Sequence, residues 1–168
     1  MLIILEGNEC CFKTTVAEKL NKKLNIPIVK GSSFEHSQCT NEELFQKFKE
    51  YAQLDNVIID RFTYSNRVYA TLYEDFAILT DEQRKEIEDM IRHKAKLYYL
   101  FADDKVIEDR IKQRGDDYVD VKMVSHINKE YSQSIMKCTL MTESFDTNEW
   151  NSDGITEAIT YDYQGKLI

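Results

Sequence analysis

Residues 2–15 decide the fold, and they read Leu-Ile-Ile-Leu-Glu-Gly-Asn-Glu-Cys-Cys-Phe-Lys-Thr-Thr. The uninterrupted apolar run at residues 2–5 is typical of a buried parallel strand. A short loop follows, and it ends in Lys13 and Thr14, where a helix begins. In such a loop, backbone N–H groups surround an anion, the helix N-terminus adds partial positive charge and the lysine adds a full charge. We therefore predict a phosphate-binding P-loop.

The residues after the loop support this prediction, although one position departs from the motif. Apolar residues recur at helical spacing, and Pro27 then stops the helix: Val16, Ala17, Leu20 and Leu24. The motif G-x-x-x-x-G-K-S/T expects a second glycine where Phe12 stands. Its Cβ must tolerate the backbone angles that glycine normally adopts. We expect Phe12 to shift the loop without abolishing it; the alternative is an ordinary strand–helix turn that contains a lysine.

Composition narrows the class of protein. A chain of 168 residues is long enough for one domain with a full core. The net charge is −8 and the basic residues are scattered, which argues against binding a nucleic-acid polymer. We find no apolar run of membrane-spanning length and no secretion signal, and the four cysteines lack metal-ligand spacing. We therefore expect a reduced, cytoplasmic protein without a membrane partner.

Strand patterns alternate with helix patterns along the rest of the chain. Further strands are predicted over residues 26–30, 56–60, 96–101 and 139–146. Helices are predicted from Thr40, over 63–76, from Thr80, and over 103–115, 121–138 and 155–161. This alternation predicts an α/β fold with three α/β/α layers around a roughly five-stranded parallel sheet. Ligands of such folds bind at the carboxyl ends of the strands.

Asp60 and Arg61 stand at the carboxyl end of the third predicted strand. An acid there can order Mg²⁺-bound water or take a proton from an attacking oxygen. An arginine beside it can hold a phosphate through its fork of donors. The alternative is a structural salt bridge at a strand end, which is common.

Two arginines, Arg110 and Arg114, are spaced by four and share one helical face. From that face they can close over a triphosphate and neutralise the charge that moves to the acceptor. The alternative is a solvated helix whose charges pair with one another. We assign residues 110–121 as a helical lid.

Three motifs resemble those of one enzyme group. Residues 60–70 resemble D-R-Y/F-x-x-S-x-x-A-Y or E-R-S-x-Y-S-x-R, residues 110–118 resemble the R-x-x-x-R-G lid, and residues 6–9 resemble an E-G-x-D opening. These belong to thymidylate kinases and their relatives, the deoxynucleoside kinases. Together with the P-loop, they occur in the family's order and cover residues 2 to about 131. The chain thus resembles the thymidylate kinase-like branch of P-loop kinases, with residues 1–168 as one kinase domain.

The resemblance implies ATP and Mg²⁺ as cofactors and gives each motif residue a role. Lys13 would hold donor phosphates, Thr14 would bind Mg²⁺, and Asp60 would act as catalytic acid and metal partner. The implied catalytic residues are Lys13, Asp60, Arg61, Arg110, Arg114 and Glu9. The implied nucleotide-binding loop residues are Gly7, Asn8, Cys10, Cys11, Phe12, Lys13, Thr14 and Thr15. The implied substrate-binding residues are Glu9, Phe34, Arg61, Arg67 and Tyr69.

The sequence motifs define the phosphoryl acceptor less well than the phosphoryl donor. We find no R-E-P-G-G segment; Lys30 to Glu35 occupy that place, where Phe34 either stacks on a base or packs in the core. The expected activity is transfer of the ATP γ-phosphoryl group to a deoxynucleoside monophosphate. The alternatives are a deoxynucleoside kinase, with Glu9 or Glu35 as base, and a degenerate nucleotide-binding protein. A homodimer through residues 63–76 would fit the family.

Overall fold

Five parallel strands form the sheet of the computed structural model, which describes residues 1–31, 38–115 and 120–165. The strands are β1 (Leu2–Gly7), β2 (Ile28–Lys30), β3 (Val57–Asp60), β4 (Ala95–Phe101) and β5 (Met141–Asp146). Their order is β2-β3-β1-β4-β5, and each neighbouring pair is parallel. The predicted five-stranded parallel sheet is confirmed, with β1 at its centre.

Helices connect the strands. In the described part of the chain they are α1 (Lys13–Leu24), α2 (Asn41–Gln53), α3 (Thr63–Ala70), α4 (Asp81–Ile91), α5 (Asp104–Arg114), α6 (Val124–Met136) and α7 (Ser152–Gly165). A short 3₁₀ helix at Val121–Met123 precedes α6. The final helix is longer than the predicted 155–161.

The helix predicted over 63–76 is shorter than expected and ends at Ala70. Beyond it, the Thr71 hydroxyl donates to the Val68 carbonyl at 2.6 Å, and the Thr71 amide bonds to the same carbonyl at 3.2 Å. A threonine hydroxyl that bonds the backbone competes with continued helix formation. The helix is therefore shorter than predicted because of this local competition, which hydrophobic periodicity does not reveal.

The central strand is apolar throughout because helices cover both faces of the sheet. Leu2 and Ile4 pack with α2, α3, α4 and α6 on one face. Ile3 and Leu5 pack with α1, α5 and α7 on the other. All four side chains have no exposed surface. Alternate residues therefore serve two cores, as expected of a parallel strand, and the predicted three-layer architecture is confirmed.

Strand register brings the sequence motifs to one edge of the sheet. Leu5 is paired with Asp60, and Gly7 with Leu100. The Arg61 amide donates to the Leu5 carbonyl at 3.0 Å, which extends the β1–β3 pairing by one residue. A Cβ on Gly7 would lie 1.9 Å from the Leu100 carbonyl oxygen, so only glycine fits where β1 enters the loop. No helix among residues 1–31, 38–115 and 120–165 combines the length and apolarity needed to cross a membrane.

Candidate active site

The P-loop occupies residues 8–12, between β1 and α1. Phe12 has a φ of 65° and Cys10 has a φ of 55°, so two side chains occupy the left-handed region that glycine favours. The Val16 amide donates to the Phe12 carbonyl at 2.8 Å and begins the hydrogen bonding of α1. Phe12 therefore has a left-handed backbone conformation, which glycine adopts more readily than residues with a Cβ.

Lys13 is buried at the start of α1, with 5% of its surface exposed. Its Nζ donates to the Asn8 carbonyl at 2.5 Å, which places the ammonium inside the loop. Burial, reinforced by the Arg61 charge, lowers the pKa of Lys13. Asn8 is itself fixed by α6, because its Nδ2 donates to Asn128 Oδ1 at 2.8 Å. The loop is thus tied to an element far away in the sequence.

Thr14, at the start of α1, and Asp60, at the end of β3, lie next to each other. The Thr14 hydroxyl donates to Asp60 Oδ2 at 3.4 Å, and the Asp60 carboxylate is buried. Asp60 Oδ1 has no hydrogen-bond partner in the described part of the chain. A hydroxyl and a carboxylate with spare acceptor capacity suit a hard cation such as Mg²⁺, which keeps several waters and also binds substrate phosphates. These residues therefore fit Mg²⁺.

Glu9 and Arg61 form the centre of a second cluster at the mouth of the loop. Arg61 Nη2 pairs with Glu9 Oε1, while Nη1 donates to the hydroxyls of Tyr69 at 3.1 Å and Tyr131 at 3.3 Å. The Tyr69 hydroxyl donates to Glu9 at 3.1 Å. Burial opposes ionisation of Glu9, but the Arg61 and Lys13 charges outweigh it and lower its pKa to about 2. Glu9 is therefore a weak base.

The two predicted lid arginines have different surroundings. Arg110 lies with its guanidinium carbon 4.6 Å from the centre of the Phe12 ring and donates to the Cys10 carbonyl at 3.1 Å. Arg114 Nη1 lies 3.8 Å from Glu9 Oε2 and is 40% exposed. The carboxyl-terminal end of α5 thus directs Arg110 to the loop and Arg114 to Glu9.

The P-loop, Arg61 and the carboxyl-terminal end of α5 line one cleft with a volume of ≈ 320 Å³. Its lining consists of Glu9, Cys10, Phe12, Lys13, Thr14, Thr15, Arg61, Arg110, Gln113 and Arg114. Four of these side chains are cationic and one is a carboxylate, although the whole chain has a net charge of −8. The cleft is therefore a local positive site suited to a polyanion.

Comparisons with known proteins place this site in a family. No model of an established protein family matches the chain. The sequence is 51% identical over 160 residues to the SPbeta prophage-derived uncharacterized protein YorR of Bacillus subtilis (strain 168). The match covers 95% of this chain and 97% of that protein. The chain belongs to the YorR family.

Solved structures agree with the YorR assignment and show the wider fold. A crystal structure of the YorR protein from Bacillus subtilis in complex with phosphorylated GDP is similar at a TM-score of 0.95 and 48% identity, covering 99% of this chain and 98% of that one. Deoxyadenosine kinase from M. mycoides, with products dCMP and a flexible dCDP bound, matches at 0.63 and 19%, covering 98% and 99%. Thymidylate kinase from Candida albicans matches at 0.59 and 16%, covering 99% and 92%. This YorR-family chain therefore has the fold of P-loop kinases.

Several residues of this YorR-family site were missed by sequence reasoning. Glu6 is fully buried and accepts from the Phe62 amide at 2.8 Å, the Ser65 amide at 3.1 Å and the Ser65 hydroxyl. Burial raises the pKa of Glu6. The Ser65 hydroxyl also contacts the Tyr131 hydroxyl at 2.8 Å. Tyr131 lies within the helix predicted over residues 121–138, and helical periodicity carries no information about the contacts of its hydroxyl.

The structure does not bring every predicted site residue into the cleft. Arg67 is paired with Asp81 at 3.4 Å and is absent from the cleft lining. Cys11 is buried beneath the loop, and burial raises the pKa of its thiol. Phe34 lies outside the described residues, as do Glu35 and residues 116–119 of the predicted lid.

Proposed function

We propose that this YorR-family protein is a small nucleotide kinase that transfers the γ-phosphoryl group of ATP to a deoxynucleoside monophosphate. The observation that carries the proposal is the cleft itself, where four cations and one carboxylate surround a P-loop in a strongly acidic chain. A nucleoside monophosphate kinase must bind two phosphate-bearing ligands and offset the charge that develops between them. We further propose that residues 1–168 form a single kinase domain.

The donor phosphates would lie at the P-loop. Lys13 contributes its buried charge, and the N-terminus of α1 contributes backbone amides and its partial positive charge. Thr14 and Asp60 would hold Mg²⁺, which neutralises phosphate charge when bound. The Lys13 ammonium donates to the neutral Asn8 carbonyl, which a charged phosphate oxygen would replace as the acceptor.

The acceptor phosphate would lie beside Arg61. Its guanidinium is held in place by Tyr69 and Tyr131, so its orientation is set before the ligand arrives. Arg114, which is partly exposed at the end of α5, would neutralise charge on the transferred group.

The pKa of Glu9 favours a phosphate acceptor over a hydroxyl acceptor. A nucleoside hydroxyl requires a proton acceptor, and a carboxylate with a pKa of about 2 takes up protons poorly at neutral pH. A phosphate oxygen is already ionised and needs a cation instead, which Arg61 supplies. The monophosphate reaction therefore requires fewer changes to the cluster than the nucleoside reaction.

A parallel turnover screen tests the proposal. ATP and GTP would each be offered with Mg²⁺, because the related YorR structure contains a phosphorylated GDP. Each donor would be combined with the common deoxynucleoside monophosphates and, separately, with the matching nucleosides. We expect donor consumption with a monophosphate, measured by a coupled assay and confirmed by separating the diphosphate product.

Two variants on α1 serve as controls for the screen. Lys13→Ala should abolish turnover. Lys19→Ala removes the same charge from the same helix, but Lys19 contacts Ser152 and Asp153 away from the cleft, so its turnover should be unchanged. Full activity in Lys13→Ala would overturn the proposal, and turnover of nucleosides alone would replace the monophosphate by a hydroxyl acceptor.

A further inference from the structure

Phe12 and Arg110 form a contact that neither the motif nor the proposed reaction requires. The guanidinium carbon lies 4.6 Å from the ring centre, which is within cation–π distance. The same guanidinium donates from Nη1 to the Cys10 carbonyl at 3.1 Å. Arg110 thus holds the loop at both of its left-handed residues, once through a carbonyl and once through a ring.

Cys10 and Phe12 are the loop residues whose backbone conformation requires stabilisation by neighbouring groups. Cys10 and Phe12 have φ values of 55° and 65°, and residues with a Cβ occupy this region at a cost that glycine does not bear. A loop of this kind persists only when its surroundings stabilise it. The guanidinium supplies such stabilisation from outside the loop.

Arg110 is itself anchored to the sheet. Its Nη1 donates to the Thr147 hydroxyl at 2.9 Å, and Nη2 donates to the Thr147 carbonyl at 2.7 Å. Thr147 is buried, and its amide donates to the Phe101 carbonyl at 2.7 Å at the end of β4. A continuous series of contacts therefore runs from the sheet through Thr147 and Arg110 to the P-loop.

We infer that Arg110 is a positioning residue that holds the P-loop in its phosphate-binding conformation and compensates for Phe12 in place of glycine. These four contacts, three hydrogen bonds and the Phe12 ring contact, are all with protein groups, and each forms without a ligand. The nucleotide-binding consequence of this inference rests on the proposed function. The structural consequence concerns the free protein and does not depend on any substrate.

A double-mutant cycle on Phe12 and Arg110 tests the inference, with Mg²⁺–ATP binding measured by calorimetry. Arg110→Ala should weaken binding by about 10-fold, because a charged hydrogen bond and a cation–π contact are lost. Phe12→Gly should stay within about 3-fold of the parent, since glycine adopts the loop angles freely. The double variant should also stay within about 3-fold of the parent, because the loop no longer needs support.

The cycle separates positioning from direct contact with the nucleotide. If the loss in Arg110→Ala persists in full when residue 12 is glycine, Arg110 acts on the ligand directly and the inference is wrong. Phe12→Leu keeps the Cβ but removes the ring, and it should weaken binding by about 3- to 10-fold. If Arg110→Ala does not fold, Phe12→Leu tests the inference in its place. Unchanged binding in Phe12→Leu would also overturn the inference.

Hydrogen exchange in the free protein provides a readout independent of nucleotide. The peptide spanning residues 7–16 should exchange faster in Arg110→Ala than in the parent. Lys105→Ala is the matched control, because Lys105 is 72% exposed on the same helix and pairs only locally with Asp109. Unchanged exchange in Arg110→Ala refutes the inference, whereas absence of ATP binding by the parent refutes the proposed function alone.

Discussion

Glu6 and Glu9 lie three residues apart at the end of the central strand, and they have opposite environments. Glu6 is enclosed and accepts from amides and a hydroxyl at the start of α3. Glu9 is partly exposed in the cleft and is paired with Arg61. Burial raises the pKa of Glu6, while neighbouring cations lower the pKa of Glu9 to about 2.

This difference shows that the end of β1 and the loop after it contribute one carboxyl group to the fold and another to the site. Glu6 fixes the start of α3, the helix that carries Tyr69. Tyr69 then contacts both Glu9 and Arg61. A carboxylate satisfied by backbone amides is thus structural, whereas one satisfied by cations in an open cleft is available for function. Four experiments probe this contrast.

Arg61→Ala should have the largest effect. It removes the cation of the cluster and the group proposed to hold the acceptor phosphate. We expect kcat/KM for the acceptor to fall by about 10²- to 10³-fold, as when one preorganised electrostatic contact is lost. Arg61→Lys should recover little, because the compact ammonium of lysine does not reproduce the planar fork of donors that spans Glu9, Tyr69 and Tyr131. Recovery of most activity in Arg61→Lys would contradict the proposed role of the guanidinium.

Lowering the pH should reduce the difference in free energy of unfolding between the parent and Glu9→Gln. The pKa of Glu9 falls from an ordinary 4.5 to about 2 on folding, so its ionised form stabilises the native state above pH 4.5. That stabilisation, at most about 3 kcal/mol, is lost as pH falls from 4.5 towards 2. Urea unfolding at pH 7 and pH 3 measures it. The advantage of the parent over Glu9→Gln should shrink in acid, and a constant advantage would contradict the ion pair.

Glu6→Gln should show the reverse pH dependence. Because the folded pKa of Glu6 is raised, its ionisation opposes folding as pH rises above 4.5. The variant should be about 1–2 kcal/mol less stable than the parent at low pH, since an amide cannot accept from all its donors. The deficit should narrow at higher pH. Denaturation at matched pH values tests this, and a deficit that widens with pH would contradict it.

Arg67→Ala should have the smallest effect. Its described ion pair is with Asp81, whose side chain is 74% exposed, and such pairs contribute little. We expect KM for the acceptor to change by less than about 3-fold and stability by less than about 1 kcal/mol. A much larger rise in KM would return Arg67 to the substrate-binding residues that the family resemblance implies.

Much of the fold could be predicted because parallel strands are buried on both faces. That burial makes runs such as residues 2–5 continuous and easy to recognise. The proximity of Asp60 to the P-loop could also be predicted, since the carboxyl ends of neighbouring parallel strands share one edge. Helix ends were predicted less well, because single hydroxyls such as that of Thr71 decide them.

The finer organisation of the site could not be predicted from spacing. The contact between Arg110 and Cys10 joins residues 100 positions apart, and no local pattern encodes it. The resemblance gave Arg110 and Arg114 a common lid role, yet one turn of helix gives them different partners. The hydroxyl of Tyr131 contacts Arg61, and the helical pattern over residues 121–138 does not indicate this contact. The partners of these side chains depend on which helices, strands and loops pack together, and spacing along the sequence does not give this information.

The link from Thr147 through Arg110 to the P-loop also has a consequence during protein synthesis. The P-loop is synthesised well before Thr147, because Cys10 and Thr147 are separated by more than 100 residues of the chain. Domains fold as units while the chain emerges, and contacts between distant residues form only after both have been made. The P-loop therefore acquires its complete set of contacts only after Thr147 has been synthesised.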